Sequence, residues 1–71
     1  MLGDRYHVFT STGCYTTPVA VFDTWQAAKE VRNEAFFRNA DVQSAWIMRS
    51  NPELNLRPDK YGNTLRKEKH R

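Results

Sequence analysis

No leucine stands between Leu2 and Leu54. Over that interval the large aliphatic side chains are five valines and a single isoleucine, so a core built there must draw its bulk from aromatic rings and β-branched residues. Leu, Ile, Val and Phe together supply 14 of 71 residues, close to the level below which chains stop folding on their own. A chain of this length closes one core rather than two. The expectation is a single thin core with a modest stability margin.

The arrangement of those residues predicts strand, strand, helix, strand. Arg5 to Thr10 and Tyr15 to Phe22 are rich in aromatic and β-branched residues, with Ser11-Thr12-Gly13 between them. That is a hairpin with its glycine in the left-handed position. Pro18 has no N–H for a ladder, which assigns the second strand to a sheet edge. Asp23 or Thr24 caps a helix running from about Trp25 to Arg38, with Gln26 at the spacing of a capping box from Asp23. Val42 to Arg49 follows as a third strand.

A helix returning the chain across the hairpin places the third strand beside the first. The predicted fold class is therefore α+β: a three-stranded antiparallel sheet (β-β-α-β, order 2-1-3) with one helix on one face. Residues 1–50 form this compact domain, and 51–71 form an irregular, extended, partly disordered basic tail. On the helical wheel Ala27, Ala28, Val31 and Ala35 share one side, so the helix can approach the sheet closely. The bulk beneath it must come from sheet residues such as Trp46, Met48, Val8 or Val21.

Charge divides the chain at the same place. Residues 1–50 hold five basic and five acidic side chains, whereas residues 51–71 hold six basic against three acidic, so the net charge of +3 belongs to the tail. A basic run of this kind, with Arg66, Lys67, Lys69 and Arg71, is a candidate contact for nucleic-acid phosphates through counterion release. The competing reading is a solvated terminus that keeps the protein soluble.

One helix covers one side of a sheet, yet apolar residues alternate on both. With a two-residue turn, Val8 and Val21 share a face and leave Phe9 and Phe22 on the other. A three-residue loop puts Phe9 with Val19 and Val21, and Val8 with Phe22. Register decides every assignment, because a slip of one residue exchanges the faces. Ile47 or Trp46 adds to the uncovered side. Exposed apolar surface of this kind marks partner sites, so Phe9, Phe22 and Ile47 are candidate protein-interface residues. Cover by Leu54 and Leu56 from the tail is the alternative. On the helix, Trp25 and Phe36 are expected to wrap the core edge while Lys29 and Arg32 point to water. Phe37 faces the opposite way and joins the candidate interface.

Catalytic chemistry finds little in the pattern. Glu34 stands four before Arg38 as an ordinary helix pair, and neither His7 nor His70 has a ligand-spaced neighbour. The three glycines are scattered, so there is no phosphate-binding loop. A domain this small also leaves little room for a pocket. Cys14 is a lone thiol with no Lys or Arg within eight residues, and it reads as a small apolar residue beside a turn. The absence of paired cysteines, of a signal-like start and of a membrane-length apolar run predicts a reducing, cytoplasmic setting.

Val21-Phe22-Asp23-Thr24 passing into an alanine-rich helix resembles the strand-to-helix step of small three-stranded DNA-binding domains. Those domains read a groove with basic strands, while the strands here carry Arg5 and Arg49 alone, so no site is carried over. The expected function is that of a small non-enzymatic binding protein of adaptor or inhibitor type. It would dock on a protein partner, such as a nucleic-acid-processing machine, or on a second copy, through the uncovered sheet face or an edge. The alternative is a nucleic-acid-binding accessory protein acting through its basic C-terminal tail. No cofactor, metal, membrane or small-molecule substrate is expected.

Overall fold

The computed structural model describes residues 3–51, 54–58 and 63–67. Five strands and one helix occur in the order β1 (Arg5–Ser11), β2 (Thr16–Phe22), α1 (Trp25–Arg38), β3 (Ser44–Asn51), β4 (Leu54–Pro58) and β5 (Leu65–Arg66). The sheet is antiparallel with order β2-β1-β3-β4, and β5 also pairs with β3. The α+β class and the 2-1-3 arrangement of the first three strands agree with the sequence pattern.

The strand count does not. A 2-1-3 sheet leaves the outer edge of β3 with unpaired N–H and C=O groups, and chain beyond Asn51 occupies it. β4 pairs with one end of β3, at Met48↔Pro58 and Asn51↔Leu54. β5 takes the other end, at Ser44↔Arg66 and Ala45↔Leu65. Pro58 closes β4 as its last residue, where a missing donor is tolerated. Leu54 and Leu56 thus belong to a strand that widens the sheet, and β4 does not cross the second face as a cover.

Local chemistry explains the hairpin and the helix. Gly13 takes a positive φ of 98°, which a Cβ would strain, and the Thr12 N–H donates to Tyr15 O at 3.0 Å to close the loop. The pairing shifts between Val8 and Phe9, because Ala20 faces Val8 while Pro18 faces Phe9. Val19 is the extra residue of a bulge on this edge strand, next to its proline. Thr24 is the helix N-cap, its Oγ1 accepting from the Ala27 N–H at 3.3 Å. Gln26 makes no capping box and instead donates to Glu30 Oε1 at 3.4 Å. Asn39 ends the helix with both its backbone N–H and its side-chain amide donating to Ala35 O.

The core sits between α1 and one sheet face. Val8, Ala28 and Ile47 are fully buried, with Tyr6, Phe22 and Trp25 packed around them. Phe36, Val42 and Ala45 form a second cluster against which Leu65 packs. The buried helix stripe is Ala28, Arg32 and Phe36, one residue in four, while Ala27, Val31 and Ala35 are half-buried flanks. Fully burying a side chain such as Ile47 contributes about 1.5–3 kcal/mol.

Arg32 departs from the expectation that it points to water: it is 5% exposed. Its Nη1 donates to the Asn63 backbone carbonyl, and its Nε and Nη2 donate to Asn33 Oδ1 at 3.2 and 3.0 Å. The guanidinium also lies 5.9 Å from the centre of the Trp25 ring. Burial pushes its pKa below the ordinary value, yet an arginine stays charged. Asn63 completes the arrangement. Its Oδ1 accepts from the Ile47 N–H at 2.7 Å and its Nδ2 donates to Ile47 O at 3.2 Å, so one side chain substitutes for a ladder pair. Arg32 is buried because the returning chain offers it a carbonyl that helix periodicity does not reveal.

Candidate functional site

The sheet face away from α1 is the candidate site. Cross-strand pairing assigns its residues, since paired residues of an antiparallel ladder share a side. Val8↔Ile47 and Thr10↔Ala45 lie on the helix side. The alternate pairs His7↔Met48, Phe9↔Trp46 and Ser11↔Ser44 therefore lie on the open side, and β2 adds Val21 opposite His7.

Three rings run along this face. Phe9 and Trp46 have centroids 5.9 Å apart with planes 16° from parallel, and His7 and Phe9 are 6.4 Å apart at 19°. All three residues are half-buried. His7 Nε2 is hydrogen-bonded with Ser50 Oγ at 2.7 Å, which fixes the imidazole within the row. Beyond Trp46 the face ends in a solvent-open depression of about 360 Å³ lined by Ser11, Ser44, Trp46, Thr64 and Arg66.

The electrostatics of the face are one-sided. Its strand positions include Arg5 and Arg66 and, among the described residues, no carboxylate. Arg5 lies 3.4 Å from Asp23, a half-screened surface pair. Glu30 and Glu34 are on the helix, the latter 3.7 Å from Arg38, and Asp4 pairs with Arg49 at 3.9 Å.

Of the residues singled out from sequence, Phe9 is on this face. Phe22 is not: it pairs with Tyr6 on the helix side and packs on the Val8–Ile47 cluster. Ile47 is likewise removed, being 0% exposed between Val8 and Ala28. Phe9 lies with Val21 and Val8 with Phe22, as a three-residue loop would have placed them, but Ser11 pairs with Thr16 across a four-residue loop and the bulge at Val19 sets the faces. Phe37 is 74% exposed on the helix, edge-on to Phe36, and so is not part of the ring row on the helix-free face. Arg66 is exposed at the depression, whereas Lys67 turns to the helix. Lys67 Nζ donates to Asn39 O at 2.7 Å and sits 5.2 Å from the Phe36 ring, so it caps the helix end. Lys69 and Arg71 lie outside the described residues.

No family model, curated protein or solved structure matches this chain.

Sequence reasoning missed His7, Ser11, Ser44 and Thr64 as members of one surface, and it left Trp46 undecided against Ile47. The usable signal was side-chain shape. Where Ala28 meets the sheet the helix side takes Val8 and Ile47, and Ala45 packs against Phe36. No group of three His, Cys, Asp or Glu suited to a metal occurs among the described residues, and Cys14 is exposed. No helix among the described residues is long and apolar enough to cross a membrane.

Proposed function

We propose that the protein is a small non-enzymatic binding module that holds single-stranded nucleic acid on its helix-free sheet face. The observation that carries this reading is the near-parallel row of His7, Phe9 and Trp46. Rings on an open sheet surface are stacking platforms for unpaired bases, each stack contributing about 1–3 kcal/mol regardless of base identity. Relocating Phe22 and Ile47 to the core supports this choice over a protein-docking face. What remains is rings, hydroxyls and cations, with Val21 and Met48 beside His7 as the aliphatic part of the face.

The test is fluorescence anisotropy with labelled single strands and duplexes, run over a salt series. The expected result is preference for single strands, loss of binding in Phe9→Ala and Trp46→Ala, and a log–log salt slope of about −0.7 per phosphate contacted. Removing residues 68–71 weakens binding without abolishing it. If that truncation abolishes binding while the ring variants keep it, the basic tail is the site and the sheet-face reading falls.

A second reading rests on β2, the outermost strand on its side of the sheet, with Val19 and Val21 44% and 49% exposed. A protein partner or second copy adding a strand there fits the edge. Concentration-dependent dimerisation that Val21→Lys removes supports it, and a monomer at all concentrations removes the second-copy form.

A further inference from the structure

We infer that the depression beyond Trp46 is a subsite for one nucleotide unit, with the base against the indole and the phosphate on Arg66. This rests on the sheet-face reading above and assigns a specific place and chemistry within it.

Strand alternation builds the depression. From 63 to 67 the chain alternates sides: Asn63 is buried toward Arg32 and Ile47, Leu65 packs on the Phe36 cluster, and Lys67 reaches the helix end. Thr64 and Arg66 fall between them on the ring side, and both line the depression. The Ser44↔Arg66 pairing fixes the guanidinium's strand position directly across from a hydroxyl. Ser11, opposite Ser44 on β1, closes the far wall.

Chemically the lining is one indole, one guanidinium and three hydroxyls. Arg5, Arg38 and Arg49 each have a carboxylate within 4 Å, whereas Arg66 makes no ion pair with the described residues. An unpaired guanidinium binds phosphate in bidentate fashion, the geometry its planar fork favours. The hydroxyls can donate to sugar or phosphate oxygens. A volume of about 360 Å³ lies at the lower end of small-ligand sites, enough for a single nucleotide and too little for a dinucleotide cofactor. An acidic peptide would satisfy Arg66 and leave the indole unused, which is why the nucleotide is preferred.

The unit can come from a strand or from free nucleotide, and titration separates the two. Trp25→Phe leaves Trp46 as the sole indole while keeping a ring against Tyr6, which Trp25 meets edge-on. This protein is titrated with a short oligothymidylate, with thymidine monophosphate and with polyglutamate, reading indole quenching. Quenching by the oligomer alone assigns the subsite to a strand, and equal quenching by the monophosphate assigns it to free nucleotide; both support the inference. Arg66→Ala, exposed and expected to fold, should weaken oligomer binding about tenfold and reduce the salt slope by about 0.7. Phe9→Ala should weaken it comparably with the slope unchanged.

If Phe9→Ala loses binding while Arg66→Ala keeps parental affinity and slope, the strand follows the rings and bypasses the depression. The subsite is then wrong and the sheet-face reading stands. Absence of quenching by either nucleotide ligand, with no anisotropy change, removes both. Arg66-dependent quenching by polyglutamate as strong as by the oligomer reduces the site to an anion contact and overturns the base assignment.

Discussion

The two faces of one sheet were made from neighbouring residues and came out opposite in character. Toward α1, Val8, Ala45 and Ile47 are sealed from solvent. Away from it, one position along in each strand, His7, Phe9 and Trp46 are half-buried and their rings line up near-parallel. Hydrophobicity alone does not separate them, because both sides are apolar in sequence. Size does. Ala28 is fully buried where the helix meets the sheet, so that approach admits branched and small side chains. The larger rings on the helix side, Tyr6, Phe22 and Trp25, sit around the rim of the cluster. Phe36 is itself buried in the neighbouring cluster with Val42 and Ala45, so rings serve both sides of the sheet, and those of His7, Phe9 and Trp46 form the candidate site.

Adjacent residues give the sharpest way to break this contrast. Ile47→Ala opens a cavity in the sealed face and should cost about 2–5 kcal/mol in chemical denaturation. Trp46→Ala, its neighbour on the open face, should cost well under half of that while abolishing ligand binding. Equal stability losses would show that the open face is also core.

Asn63→Ala comes next. It removes both bonds to the Ile47 backbone and leaves those groups buried, an expected loss of about 1–3 kcal/mol. Hydrogen exchange at the Ile47 amide should accelerate in step, and protection unchanged from the parent would mean the side chain is not a ladder substitute. Arg32→Met should cost less, about 1 kcal/mol, because losing the bonds to Asn63 and Asn33 is offset by no longer burying a cation. A loss exceeding that of Asn63→Ala would place the organising role in the guanidinium. Smallest is Phe37→Ser, which touches neither sheet face. Its stability should stay within about 0.5 kcal/mol and its ligand affinity should be parental.

Much of the architecture was legible because it is local. Thr24 before an alanine-rich run, and Asn39 after it, bound the helix at Trp25–Arg38 with hydrogen bonds made within four residues. Gly13 sets the hairpin, and Pro18 marks the edge beside the bulge. The strands past Asn51 were not legible, since their prolines suggested irregular chain and their partner lies far back in β3. Arg32 was misread for a related reason. On a helical wheel it is a cation beside an aromatic stripe, and only a carbonyl from residue 63 makes its burial tolerable.

The scarcity of leucine still accounts for the chain's general form. It dictates a thin core of valines, one isoleucine and rings beneath an alanine face, and period and capping follow from nearest neighbours. Side choice is different. A strand apolar on both sides carries no local preference for either, and a slip of one residue exchanges Ile47 with Trp46. That decision was made by the bulge at Val19, the closeness of Ala28 and the return of residues 63–67. They are contacts between segments distant in sequence, and they turn one set of rings outward as a surface.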